Sequence, residues 1–324
     1  MKIVVVGAGI SGSVCAWRLA RKGHEVTLVE KGRGVGGRMA TRRMGGARID
    51  HGAQFFTVRD PRMEELLSLW QHENAVVPWY DHIPGRADVP TGQRYRGSEG
   101  MTSPAKVLAK EFKVETSFFL QKIQRREKTW TLYEKDDSQR TLEADHLVST
   151  IPSVQLLELF QRSDYELDKD SMNRLRSIRH TRCLAVLGIM DRSSSLKHPG
   201  TLTHPVPEID WISDNQVKGI SGEPSCTIHA SDEYSQKFWD SPDSERVPPL
   251  LSVAEENLEV KITSWSSHRW GFAKPVVTFG ATHWHSQDRG ITLAGDGFGG
   301  ERIEKAAMSG WDAADAIAGE LVSA

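Results

Sequence analysis

The sequence predicts an α/β protein in which one sheet is assembled from both ends of the chain and a second, mixed sheet is inserted between its pieces. Three observations predict it. Residues 2–30 read as strand, glycine turn, helix and strand. Residues 291–321 read as a buried strand, a second glycine turn and a helix. The middle of the chain carries apolar runs that fit neither unit. With strands of one sheet at both ends, whatever lies between must fold as an insertion.

Lys2-Ile-Val-Val-Val6 is a strand of the parallel type, apolar without alternation because both faces are buried. A helix over residues 11–22 follows, stopped by Gly23, and Glu25-Val-Thr-Leu-Val-Glu30 is the next strand, which completes a βαβ unit. KTWTLYEK reads as a hairpin strand and ADHLVSTIP, residues 144–152, as a buried strand ended by proline. Insertions are expected at 58–98 and 156–275, leaving 1–57, 99–155 and 276–324 for the terminal unit. CLAVLGIM, CTIHAS and KITSWSSHRW are expected as strands of the inserted sheet, with helices around Leu156 and Glu233 and an exposed loop at SDNQVKGISGEPS. Ala307, Gly310, Ala314, Ile317 and Leu321 recur at helical spacing, and their small side chains predict a closing helix packed close to the sheet. Six of the ten tryptophans fall in the insertions: Trp70, Trp79, Trp211, Trp239, Trp265 and Trp270.

Composition excludes several tasks. With 41 basic against 43 acidic residues, no basic excess draws the chain to nucleic acid or an anionic membrane. The three cysteines, Cys15, Cys183 and Cys226, are widely spaced, so neither a disulfide framework nor a cysteine zinc site is expected. His283-Trp284-His285 has no carboxylate or cysteine close by, and no metal is expected there. No stretch has the length of a membrane span or of a signal-peptide core, which leaves the cytoplasm as the expected location. Oligomeric state is open.

Gly7-Ala8-Gly9-Ile10-Ser11-Gly12 is a G-x-G-x-x-G between strand and helix, where glycines let backbone amides approach a pyrophosphate. Glu30 follows at the spacing expected of a carboxylate that accepts from ribose hydroxyls, and its charge opposes a 2′-phosphate. The next stretch, Lys31-Gly-Arg33-Gly-Val-Gly36-Gly37-Arg38, adds a second glycine loop, with Arg33, Arg38 and Arg43 as donors to phosphates. A plain dehydrogenase does not need this second loop, whereas an extended flavin dinucleotide does. Gly295-Asp296-Gly297 places an acid at a strand end to accept from ribityl hydroxyls, and the helix opening near Ile303 points its positive end toward the flavin.

GAGISG, GVGGRMATRR, IDHGAQFFT (residues 49–57), STIPSVQ, IHA, HRWGFAKP and LAGDGFGGERIEKAAMSG together resemble renalase-type flavoproteins, within the wider flavin amine oxidase group. The order holds over essentially the whole chain, and GGRMATRR followed by DHGAQFFT is the most specific part. The closing helix departs from the pattern, beginning Ile303-Glu304-Lys305. The resemblance implies a discontinuous Rossmann-like FAD-binding domain with an inserted substrate domain, of the p-hydroxybenzoate hydroxylase and amine oxidase type. It implies non-covalent FAD, and oxidation of the 2- and 6-dihydro isomers of NAD(P)H to NAD(P)+, with O2 as final acceptor giving H2O2. The expected cofactor contacts are Gly7, Gly9, Ile10, Ser11, Gly12, Glu30, Lys31, Arg33, Gly36, Gly37, Arg38, Gln54, Leu120, Gly295, Asp296, Arg302 and Ile303.

A dihydropyridine already carries a labile hydride, so its oxidation needs positioning more than acid–base help. Trp270 is a candidate stacking wall. His229, Gln54 and Arg269 are candidates to orient the ring amide or a phosphate. Each has a plainer reading: Trp270 and His229 as core, Gln54 and Asp50 as turn formers, Arg269 as a surface ion pair. An amine oxidase in the stricter sense and a flavin-binding regulatory protein without turnover are the alternatives.

Overall fold

The computed structural model describes residues 1–82, 91–135 and 140–319. Leu321 and residues 83–90, inside the first expected insertion, lie outside them. Six strands form the main sheet in the order Trp284–Ser286, Ile291–Leu293, His146–Ser149, Lys2–Val6, Glu25–Val29 and Lys113–Glu115. Only the edge pair Trp284–Ser286 with Ile291–Leu293 is antiparallel; the other neighbours run parallel. The first strand shows why its sequence does not alternate. Ile3 and Val5 pack with Cys15, Leu19, Ala313 and Ala314 on one face, while Val4 and Val6 pack with Leu147, Trp130 and Phe160 on the other.

The opening helix, Ile10–Arg21, ends at Lys22 ahead of Gly23, whose φ of +82° is the left-handed geometry that favours glycine. The closing helix, Ile303–Ala318, lies against both the sheet and this helix. Ala314 and Ile317 meet the sheet, as their spacing predicts, with Ala313 beside them, whereas Ala307 packs with Trp17 and Trp311. Gly310 instead meets the opening helix: a Cβ there would stand 2.0 Å from the Ser11 carbonyl oxygen. An Arg18–Asp315 ion pair ties the same two helices together.

Helix Pro61–His72 is started by Asp60, whose carboxylate accepts from the Arg62 amide at 2.9 Å. It buries Met63, Leu66 and Trp70 in the cluster that holds Trp17 and Trp311, so this part of 58–98 packs on the opening and closing helices.

The second sheet has five strands in the order Thr201–Val206, Ile209–Asp214, Ser225–Ala230, Cys183–Met190 and Ile262–Trp270, each antiparallel to its neighbours. Period-2 alternation sorts its side chains. Leu184, Val186, Ile212 and Ile228 turn to the core with Leu250, Ala254 and Leu258 of helix Pro248–Leu258. Ser213, Thr227, His229, His268 and Trp270 take the other face, toward the hairpin Thr41–Met44 and Ala47–Asp50 and the loop after it. The loop expected to be exposed around 213–225 is in large part buried. Asp214 and Asn215 have no exposure and Lys218 has 1%. Its polar groups can leave water because they bond one another: the Asp214 carboxylate accepts from the amides of Gln216 and Val217 at 2.7 and 2.9 Å. Among the described residues no helix is long and apolar enough to cross a membrane.

Candidate functional site

The first glycine loop forms an open cradle. Gly7 has φ +102°, and a Cβ at Gly12 would stand 2.0 Å from the Gly7 carbonyl oxygen, so neither position accepts a side chain. Gly9 differs: a Cβ there meets nothing within 4 Å, which leaves room for a ligand against the helix amides. No acidic residue lies in the first helical turn, and the buried Ser11 hydroxyl has no partner among the described residues. Thr150 braces the loop from the neighbouring strand by donating to the Val6 and Gly7 carbonyls at 3.0 and 3.1 Å. Glu30 closes the far side, accepting from the amides of Ala8 at 2.9 Å and Gly32 at 2.8 Å. Each carboxylate oxygen keeps a lone pair for a ribose hydroxyl.

The second loop lies directly on the first. Gly36, at φ +114°, donates its amide to the Ala8 carbonyl at 2.7 Å, and a Cβ on Gly37 would come within 3.1 Å of the Gly9 Cα. Arg38 then spans to the chain's other end, forking onto Asp296 at 2.5 and 2.6 Å and onto the Phe272 carbonyl at 2.7 Å. Burial pushes the Asp296 carboxyl up, but the nearby His180 and the Arg38 fork together outweigh it and hold the carboxyl down to about 2. The Ser309 hydroxyl, on the closing helix, accepts from the Gly295 amide at 2.8 Å and fixes the loop that carries Asp296.

Beyond Arg38 the segment 50–54 meets the polar face of the second sheet. The His51 carbonyl accepts from His229 Nε2 at 3.1 Å and from Trp270 Nε1 at 2.9 Å. The His51 ring stacks on Trp270 at 5.1 Å and stands edge-on to His268 at 5.1 Å. Burial pushes His51 down to about 3, helped by His268 and Arg42, and burial pushes His229 down to about 4. Both imidazoles are therefore neutral at pH 7, and the carbonyl partner fixes the proton of His229 on Nε2.

Gln54 is 6% exposed and fully engaged. Its Nε2 donates to the Asp50 and Gly52 carbonyls at 2.6 and 3.0 Å, and its Oε1 accepts from Ser213 at 3.0 Å and Lys218 Nζ at 3.1 Å. Lys218 also sits 2.8 Å from the Asp50 carboxylate, both side chains without exposure. Next to Gln54 begins an aromatic box. Phe55 lies 6.4 Å from Trp79, 6.2 Å from Tyr80 and 5.8 Å from Trp211 between ring centres. Two cations abut it: the Arg94 guanidinium is 4.9 Å from the Tyr80 ring, and Lys218 Nζ is 4.9 Å from that of Trp79.

Residues 5–70, the stretch that carries both glycine loops, match the family model of a NAD(P)-binding Rossmann-like domain. Over 101 residues, 28% of this chain, the sequence is 37% identical to 4,4'-diapophytoene desaturase (4,4'-diaponeurosporene-forming) of Staphylococcus aureus. That alignment spans only 20% of the desaturase. Two solved structures match along almost the full length of both chains. Cyclohexylamine oxidase from Brevibacterium oxydans superposes with a TM-score of 0.76 over 98% of this chain and 99% of the oxidase, at 15% identity. Putrescine oxidase bound to putrescine does so with a TM-score of 0.72 over 98% and 99%, at 14% identity. The chain shares its fold with these oxidases. Its glycine cradle is the Rossmann-like part of that fold, and the polar wall is formed by the second sheet together with His51 of the segment 50–54.

The expected residues do not all converge. Gly7, Gly9, Ile10, Ser11, Gly12, Glu30, Gly36, Gly37, Arg38, Gly295 and Asp296 gather around the two loops, while Gln54, His229 and Trp270 gather at the wall. Lys31 reaches the Gln155 side chain, at 3.4 Å, and Arg33 and Arg43 are exposed. Leu120 pairs with Glu134 in a separate three-stranded sheet. It is Phe118 whose amide binds the Glu30 carbonyl, at 2.9 Å. Arg302 is the exposed cap residue before Ile303. The first turn there is held by buried Glu304, which accepts from the amides of Arg59 and Asp60. Lys305 is exposed and packs over Gly300. Arg269 points away from the wall, to the Trp239 carbonyl at 3.2 Å, because it shares the strand face of Leu184. His51, His268, Lys218 and the Phe55–Tyr80 pair are additions. Alternation from Trp270 reaches His268, whereas nothing in the loop sequence marks Lys218.

Proposed function

We propose that the protein is an FAD-dependent oxidoreductase that takes a hydride from the 2- or 6-dihydro isomers of NAD(P)H, with O2 as the final acceptor and H2O2 as co-product. The reading is supported by one observation: a wall of neutral imidazoles and indole, His51, His229, His268 and Trp270, joined to the second glycine loop where the Arg38 carbonyl accepts from the Ala53 amide at 2.9 Å. The cradle fits FAD, with Gly9 leaving room for the pyrophosphate and Glu30 a lone pair on each oxygen for the ribose, while Arg38 and Asp296, bonded to each other, would offer the guanidinium Nε and the remaining carboxylate lone pairs to the phosphates and ribityl chain. Bound there, FAD supplies the hydride acceptor. The chain's own residues bind and orient. Trp270 and His51 offer a stacked surface to a flat ring, and the neutral imidazoles add hydrogen-bonding edges without charge. The tightly packed segment 50–54 keeps that wall in one position, as an oxidation limited by geometry requires.

The fold shared with two amine oxidases, together with the box of Phe55, Trp79, Tyr80 and Trp211, favours amine oxidation as a second reading. Against it, an alkylammonium entering that box would meet the like charges of Arg94 and Lys218. Peroxide release decides between them. The proposal expects turnover with dihydronicotinamide isomers and none with a panel of primary and secondary amines; the reverse pattern establishes the amine reading.

A further inference from the structure

Apart from the cradle and the wall, a cavity of about 340 Å³ opens between helix Ser153–Ser163, helix Lys169–Ser177 and the turn at Gly271-Phe272. We propose that it is an anion site for a phosphate monoester. Three independent features point to phosphate.

The first is the start of helix Ser153–Ser163. Its cap residue is Pro152, which has no side-chain acceptor, and its first turn holds no acid. The first helical bond runs from the Leu156 amide to the Pro152 carbonyl at 3.0 Å, so the amides of the opening turn have no helical partner. The second is Ser153 itself, 4% exposed and lining the cavity, whose hydroxyl has no partner among the described residues. A buried hydroxyl without a partner is costly unless a ligand completes it.

The third is charge. Arg176, Arg179 and Arg182 all line the cavity, and among the described residues no acidic side chain does. Arg182 is seated over the Trp239 ring at 4.7 Å, and Arg179 donates to the Ile178 carbonyl at 3.0 Å, so two of the three heads are already placed. The guanidinium fork suits phosphate oxygens. Leu157, Leu175 and Phe272 give the cavity an apolar wall, on which the organic part of the ester can rest.

None of the cradle residues Gly7 to Gly12, Glu30 or Gly36 to Arg38 lines this cavity. It adjoins the cradle through His180, 3.4 Å from Asp296, and through Phe272, whose carbonyl holds Arg38. The site does not depend on which substrate the cradle serves.

Calorimetry on the FAD-saturated protein tests the proposal with AMP, inorganic phosphate and adenosine. AMP and phosphate are expected to bind saturably and adenosine not at all. Equal affinity for the first two assigns the site to free phosphate, and tighter AMP assigns it to a nucleotide. Arg176→Gln with Arg179→Gln, both on exposed side chains, is expected to weaken AMP by about tenfold or more, and Ser153→Ala by about threefold, with flavin content unchanged. Adenosine binding as well as AMP, AMP displacing FAD, no saturable binding, or affinities unmoved by both variants would each overturn it. The readout is heat of binding, so the absence of flavin reduction by any donor leaves this test intact.

Discussion

The Lys218 ammonium lies 2.8 Å from the Asp50 carboxylate, and neither side chain has any exposure to solvent. Asp50 also accepts from the Met101 amide at 2.8 Å and the Thr41 hydroxyl at 2.6 Å, so one carboxylate joins the hairpin, residue 101 and the loop of the second sheet. Burial pulls the Lys218 pKa down, and Asp50 opposes that pull.

Replacing Lys218 by Met keeps the length of the side chain and strands the Asp50 charge. The expected loss is about 3–5 kcal/mol in urea unfolding, since a buried ion without its partner is strongly destabilising. Lys218→Met combined with Asp50→Asn should recover a large part of it. A double variant no better than the single one would show that the pair is not the source of the effect.

Gly9 and Gly12 separate cofactor binding from folding. Gly9→Ala adds a methyl to open space in the free protein. Its unfolding free energy in urea should stay within about 0.5 kcal/mol of the parent once flavin is removed, while flavin retention on purification falls sharply. Gly12→Ala drives a methyl against the Gly7 carbonyl at 2.0 Å and should lower both. Equal flavin content in the parent and Gly9→Ala would argue against a ligand at this loop.

His146 is 1% exposed and pushed down to about 3 by burial, with His285 and Arg125 adding to the shift. Between about pH 6.5 and 3 the unfolded chain takes up this proton and the folded chain does not. Stability therefore falls as pH drops through that window, by about 1.4 kcal/mol per pH unit for each such histidine. His51 and His229 add to the same slope. His146→Gln should flatten the urea-derived stability profile between about pH 6 and 4 by one histidine's share; an unchanged slope would mean His146 is protonated in the fold.

Much of this architecture is legible in the sequence because it rests on local chemistry. The glycine loop, Glu30 at the end of the second strand and the Gly295-Asp296 turn each announce themselves by residue type and position. The wall is half legible: Trp270 and His229 stand on alternating strands, and the same alternation leads to His268 while excluding Arg269. Lys218 is not legible. A lysine in a run of Ser, Asp, Asn and Gly has the composition of a solvated turn, and only the distant Asp50, brought in by the hairpin, makes its burial possible. The box of Phe55, Tyr80 and Trp211 is hidden for the same reason, since its rings come from three segments far apart in the chain.

Anaerobic titration of the FAD-loaded protein with a single dihydronicotinamide isomer is the most direct test of the proposed chemistry. The visible flavin absorption should bleach in proportion to the isomer added and return on admission of oxygen. A spectrum that stays oxidised at saturating isomer, in protein that holds its flavin, would contradict the assignment.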